Sequence, residues 1–139
     1  MNYLLDTNAC IALINGKPVA LRERFQRAAD KGGHAYLSTI TIFELWYGVE
    51  KSQQKEANTN RLLTFLAGPI SVIPFEEEDA SASGAIRAAL EKIGRPIGSY
   101  DLLISGQAVR NSMTLVTANT KEFSRIKTLT WEDWAKTSQ

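Results

Sequence analysis

Four short apolar runs, at residues 2–5, 35–38, 70–75 and 114–117, are separated by segments patterned as helices, and this alternation restricts the fold more than any other feature. Runs of that length, bounded by turn and capping residues, read as strands buried on both faces of a sheet. A strand, a helix and another strand in succession give parallel pairing, because the helix carries the chain back to the same end of the sheet. The expected fold class is therefore α/β. It is a three-layer α/β/α sandwich with a mostly parallel four- to five-stranded central sheet, Thr128 marking the start of a short fifth strand.

Local signals place the helices. Asp6-Thr7-Asn8 are capping residues directly after the first strand, and the helix they open runs through Ile14. Gly16 and Pro18 punctuate the chain before a second helix over residues 19–31, which Gly32-Gly33 ends. Thr41 and Glu44 have the spacing of a capping box in a helix over residues 39–51, and a further helix over 54–67 stops at Gly68-Pro69. The acidic run 76–79 opens a helix with Ile86, Leu90 and Ile93 on one face; it reads as a first turn and not as a metal site. A turn at 95–98 leads to a helix from residue 99 to about 110. Trp131 and Trp134 have the spacing of one helical face that pins the C-terminus.

At 139 residues, with no repeat or linker, the chain is expected to form one domain over residues 1–139. No apolar run is long enough to cross a bilayer and Asp6 interrupts the opening one, which argues for a soluble, cytoplasmic protein without a membrane association. Cys10 is the single cysteine, so an internal disulfide or a cysteine-built zinc site is excluded, and it reads as core filling. The net charge of +1 gives no global attraction to nucleic acid, so any phosphate contact must rest on local basic clusters. Arg22, Arg24, Arg27 and Lys31 recur at about helical spacing with Glu23 and Asp30 interleaved, which reads first as a solvated helix face. Arg95, Arg110, Lys121, Arg125 and Lys127 crowd the last third.

In a parallel sheet the ligand site lies beyond the carboxyl ends of the strands. Asp6 stands there after the first strand, Glu44 near the start of the helix after the second, and Asn119 after the fourth. Asp101 joins them if its helix points its N-terminus the same way. Each acid has a simpler reading as a helix-capping or dipole-favouring residue. Asp101 is the most telling, because Ile97 and Leu102-Leu103-Ile104 surround it with apolar side chains and a carboxylate there is costly unless paired. No lysine or arginine neighbours these acids in sequence, and carboxylates sharing a cleft raise one another's pKa unless a cation sits among them. Oxygen donors without histidine or cysteine select Mg²⁺, with Mn²⁺ as a substitute, and such an ion suits hydrolysis of phosphate esters. The number of ions is not fixed by the sequence.

Thr7 and Asn8 read either as local caps or as groups orienting Asp6 or a metal-bound water, and Thr117 as support for Asn119 or a phosphate contact. Trp46 and Tyr47 read first as core and second as a stacking or partner surface, and Arg87 as an exposed helical residue. His34 lies in a loop without catalytic company. Two other classes remain in view: a phosphoaspartate enzyme, disfavoured because Thr7-Asn8 and not a second acid follow Asp6, and a non-catalytic binding module, which needs no converging acids.

Four blocks carry a resemblance to a known family. They are Leu4-Leu5-Asp6-Thr7-Asn8, then Phe43-Glu44-Leu45-Trp46-Tyr47-Gly48-Val49-Glu50-Lys51-Ser52, then Pro96-Ile97-Gly98-Ser99-Tyr100-Asp101-Leu102-Leu103-Ile104, and Leu115-Val116-Thr117-Ala118-Asn119-Thr120-Lys121-Glu122-Phe123. In this order and spacing the chain resembles the PIN-domain family, and within it the VapC-type toxins. The resemblance implies a metal-dependent endoribonuclease that cuts structured or single-stranded RNA, often transfer RNA, is silenced by a cognate antitoxin, and forms homodimers. It puts Asp6, Glu44 and Asp101 at the acidic metal positions. Asn119 departs from the pattern, because many relatives carry a fourth acid there; Glu122 is a candidate substitute, with solvated surface as its simpler reading.

Overall fold

A computed structural model describes residues 1–136. The elements run β1 (Asn2–Leu5), α1 (Thr7–Asn15), α2 (Val19–Asp30), β2 (His34–Ser38), α3 (Thr39–Lys51), α4 (Lys55–Leu66) and β3 (Ile70–Ile73). They continue with α5 (Glu77–Lys92), α6 (Ser99–Arg110), β4 (Thr114–Val116), α7 (Thr120–Phe123) and β5 (Trp131–Glu132). All strand pairs are parallel, in the order β3-β2-β1-β4-β5.

Alternation along the central strands explains the three layers. Leu4 and Leu5 are both fully buried, but they point to opposite faces. Leu4 and Leu115 pack with Ile86 and Leu90 of α5 and Leu102, Ile104 and Ala108 of α6. Leu5, Leu37 and Val116 pack with Cys10 and Leu13 of α1, Leu45 and Val49 of α3, and Leu62 of α4. Cys10 is core filling, as expected, and burial followed by the Asp6 charge pushes its thiol pKa well up. Helices α5 and α6 approach closely where a Cβ on Gly106 would run into Ser83.

Three local expectations are corrected. Thr41 and Glu44 do not form a capping box: Ser38 caps α3, its hydroxyl accepting from the Ile40 N–H at 3.0 Å, and Thr41 is buried. The capping box lies instead at the start of α5, where Glu76 and Asp79 bond reciprocally. Trp131 and Trp134 share no helix, since Trp131 lies in β5 and Trp134 in the following turn, buried edge-on against Tyr3 and Phe25. The fifth strand begins at Trp131, later than Thr128.

Candidate active site

Strand order grows outward from β1 in one direction through β2 and β3 and in the other through β4 and β5, so the reversal falls between β1 and β4. The carboxyl ends of these two strands lie side by side, Leu5 paired with Val116, and the Asp6 N–H donates to the Val116 carbonyl at 3.1 Å. Asp6 and Thr117 therefore emerge together at the crevice where open parallel sheets bind ligands.

Asp6 is both a cap and a cleft residue. Its Oδ1 accepts from the Ala9 N–H at 2.8 Å as N-cap of α1, and only 4% of the residue is exposed. Burial raises its pKa, and the charges of Glu44 and Asp133 add to the rise; the Thr117 hydroxyl and the Ala9 N–H oppose it. The Thr117 hydroxyl also accepts from the Asn119 N–H at 2.9 Å, which ties the end of β4 to the loop beyond.

Glu44 stands in the second turn of α3, facing α1. Its Oε1 accepts from the Thr7 hydroxyl at 2.6 Å, so Thr7 positions Glu44 and not Asp6. Asn8 is exposed, and among the described residues its side chain makes no hydrogen bond to the acids.

Asp101 lies in the first turn of α6, whose N-terminus does point into the cleft. Its carboxyl pKa is raised to about 6, chiefly by burial and then by the charges of Asp6, Glu122 and Glu44, with the Asn119 side chain opposing. The Asn119 Nδ2 also donates to Glu122 Oε2 at 3.2 Å. Glu122 is thus drawn into the cluster and is not solvated surface. Asp133 was not singled out from the sequence; it follows a strand of two residues, too short to register as periodicity.

Among the described residues the cluster has no ion-paired counter-charge. Among the described residues none of Asp6, Glu44, Asp101, Glu122 and Asp133 is in a salt bridge, while Arg24, Lys55, Arg87 and Arg110 are each engaged with acids elsewhere. Nor, among the described residues, do three or more acidic, imidazole or thiol side chains come together closely enough to hold a metal ion as they stand. An open, oxygen-only donor set fits Mg²⁺, which keeps several of its waters and binds through one or two carboxylates. Arg87 pairs with Glu91 on the surface, and His34 is exposed but opens β2 and does not lie in a loop. Trp46 packs partly in the core, but Tyr47 is 59% exposed with Lys51 Nζ 4.8 Å from its ring centre, so the core reading fails for Tyr47.

Comparison with known proteins agrees with this geometry. Residues 3–129 match the PIN domain. The chain is 40% identical to the tRNA(fMet)-specific endonuclease VapC of Shigella flexneri, over 97% of this chain and 99% of that protein. It is also 40% identical to ribonuclease VapC2 of Rickettsia felis, over 98% and 100% of the two chains. Among solved structures, a chain of VapBC2 from Rickettsia felis bound to a promoter DNA fragment superposes with a TM-score of 0.90 at 40% identity, covering 96% of this chain and 99% of that one. A chain of DNA-bound VapBC from Salmonella typhimurium gives 0.87 at 38% identity, covering 96% and 98%. With the acids gathered at the sheet's reversal point and this likeness over nearly its whole length, the chain belongs to the PIN-domain family.

Proposed function

We propose that this protein is a Mg²⁺-dependent endoribonuclease, the toxin of a toxin–antitoxin pair, working in the cytoplasm as a single nuclease domain over residues 1–139. The observation that carries the reading is the convergence of Asp6, Glu44 and Asp101 at the sheet's reversal point, with no ion-paired cation among the described residues. These three residues would hold the ion, with Asn119 and Glu122 beside Asp101. Bound there, Mg²⁺ or Mn²⁺ supplies a Lewis acid that makes water nucleophilic and offsets charge on the reacting phosphate. The chain contributes preorganisation. The cap bond fixes Asp6, Thr7 fixes Glu44, and Thr117 with Asn119 holds the loop against Asp6 and Asp101. Transfer RNA is the favoured substrate, because a relative at 40% identity is named for one.

The test is incubation of the protein with transfer RNA and Mg²⁺, with and without EDTA. Cleavage that needs the ion and leaves 5′-phosphate ends is expected, since water is the nucleophile. Products ending in 2′,3′-cyclic phosphate would show attack by the ribose hydroxyl and overturn the mechanism.

Glu44→Gln keeps the shape and an acceptor for Thr7 while removing one charge. It should lower turnover at least a hundredfold, a loss of about 2.7 kcal/mol of transition-state stabilisation, with a melting temperature close to that of the wild type. A variant that lost mainly stability and kept its turnover would return Glu44 to a structural role.

An antitoxin would have a ready seat. Ile11, Ile14, Leu45, Gly48, Val49 and Leu62 line a mostly apolar groove between α1, α3 and α4, and Glu44 is part of its lining. A segment lying there can bring a lysine or arginine to the acids. Gly48 follows Glu44 by one helical turn, and a Cβ at this position meets nothing within 4 Å. Gly48→Leu should therefore fold, gain roughly 0.5–1 kcal/mol of helix propensity, and fill the groove. Cleavage that resists the co-expressed partner is the expected result; undiminished inhibition would place the partner elsewhere. A second copy of the chain, which the family resemblance implies, would find apolar surface in Phe43, Tyr47 and Tyr100, all exposed beside the acids.

A further inference from the structure

A cluster of carboxylates repels the polyanion it is meant to cut, and a net charge of +1 does not draw RNA to the molecule as a whole. The substrate must be held by cations near the acids but outside them. Most of the arginines are engaged. Arg87 and Arg110 are in ion pairs, and Arg22, Arg61 and Arg125 donate to backbone carbonyls. Helix α2 differs. Arg24, Arg27 and Lys31, spaced three and four residues apart, share one face and line a cleft whose other walls are Tyr3, Glu132 and Trp134.

That cleft is built and placed. Arg24 is held by Glu132 at 3.4 Å, and Trp134, 2% exposed, forms a fixed floor against Tyr3 and Phe25. Arg27 and Lys31 are exposed and in no ion pair among the described residues. Glu23 and Asp30 stand four and three residues from Arg27, but among the described residues neither forms an ion pair with it, and Asp30 instead accepts from the Gln26 side chain at 2.9 Å. The register fixes the distance from the Glu132 end of the cleft to the acids, and Arg27 and Lys31 lie further off, because α2 leads into β2, whose first residue His34 pairs with Asn2 at the amino end of the sheet. Leu5 pairs with Val116 and Val116 with Glu132, so Glu132 lies level with the residue before Asp6 and two strands away, about 10 Å at the usual strand spacing. Asp133, next to Glu132, is near enough for Asp6 to feel its charge.

We propose that the cleft between α2 and the end of β5 is a docking surface for the RNA backbone, with Arg27 and Lys31 contacting phosphates several nucleotides along the RNA from the one being cut. The inference rests on the ribonuclease reading and adds to it a place where the substrate is held. Arg24 keeps a positioning role through Glu132. Phosphate contacts of this kind carry no sequence information, so the cleft contributes affinity across RNA sequences and leaves specificity to groups nearer the acids.

The experiment is binding of a fluorescein-labelled, mixed-sequence 20-nucleotide RNA to the full chain in EDTA, where cleavage is silent, followed across a salt titration by anisotropy. The Arg27→Gln/Lys31→Gln variant should bind at least fivefold more weakly than wild type at low salt. Its slope of log affinity against log salt should be shallower by roughly 1.4, the release expected for two phosphate contacts on a single strand. With Mg²⁺ and transfer RNA, the variant should raise KM and leave kcat within twofold, because neither residue reaches the acids. A control, Lys92→Gln/Arg95→Gln, removes two exposed cations at the end of α5 and just beyond it and should change neither slope nor KM. Equal slopes for wild type and the α2 variant, or an equal loss in the control, would overturn the docking surface while wild-type cleavage still stood. A wild type that neither bound nor cut RNA would overturn the ribonuclease reading itself.

Discussion

Asp6→Asn should abolish RNA cleavage and leave the metal-free protein as stable as the wild type or more so. Asparagine serves as an N-cap about as well as aspartate, so the bond from the Ala9 N–H survives the change. The substitution also removes one of several mutually repelling charges, including those of Glu44 and Asp133. Capping and metal binding are often weighed as rival explanations for such an acid, but here one oxygen takes the helix N–H while the carboxylate as a whole faces the cleft. The metal-linked term separates the two. Wild type should gain on the order of 2.7 kcal/mol from Mg²⁺ at about a hundred times its dissociation constant, and Asp6→Asn should lose most of that gain. Thermal melts of both proteins in EDTA and across a Mg²⁺ titration make the measurement. Equal metal-induced shifts, with cleavage retained, would remove Asp6 from the site.

The second large effect concerns Asp101 and pH. Its carboxyl, raised to about 6, keeps a proton in the folded protein that the unfolded chain has already released above the ordinary aspartate value. Below that value the group is neutral in both states and costs nothing. As pH rises towards about 6 the folded state holds more protons than the unfolded one, so stability falls, and above about 6 the full penalty is in place. After allowance for solvent screening at a half-buried site, the penalty is about 1–2 kcal/mol, or several degrees of melting temperature in a chain of this size. In EDTA the wild-type melting temperature should decline more steeply between about pH 4 and pH 7 than that of Asp101→Asn, which should be the more stable protein at pH 7.5 and inactive towards RNA. Parallel curves for the two proteins would mean that neither burial nor the neighbouring charges disfavour the Asp101 carboxylate in the folded protein.

Both predictions rest on contacts of very different legibility. The strands, the helices and the parallel sheet follow from short-range patterns, and apart from the start of β5 the expected ends fall within a residue or two of the observed ones, because capping residues, glycines and prolines mark them. The grouping of Asp6, Glu44, Asp101 and Asn119 is legible for a different reason: a parallel sheet sends all strand ends to one side. What holds them there is not. Glu44 is steadied by Thr7, 37 residues away, and the Thr41–Glu44 spacing pointed to a local partner instead. Glu122 looked like surface because it sits on a helix of four residues, where no periodicity marks an inner face. Asp133 was hidden behind a strand of two residues. Tyr47 shows the limit from the other side, since an aromatic residue on a helix rich in apolar residues turned out to be exposed.

The position of β4 also bears on when the enzyme becomes dangerous to its own cell. β1, made first, lies in the middle of the sheet, and one of its two neighbours is a strand that begins at Thr114. A ribosome adding roughly 5–20 residues per second will have released Asp6 and Glu44 well before Asp101, Thr117 and Asn119 exist. A partial chain lacking β4 carries Asp6, Glu44 and Asp101 but neither the strand end beside Asp6 nor Thr117, Asn119 and Glu122, and until β4 arrives one edge of β1 stays unpaired. The potential to cut RNA is therefore withheld through most of synthesis. By contrast, the groove formed by α1, α3 and α4 is made entirely from residues 11–62, so the surface that would receive an inhibitor is translated before the catalytic centre it would silence.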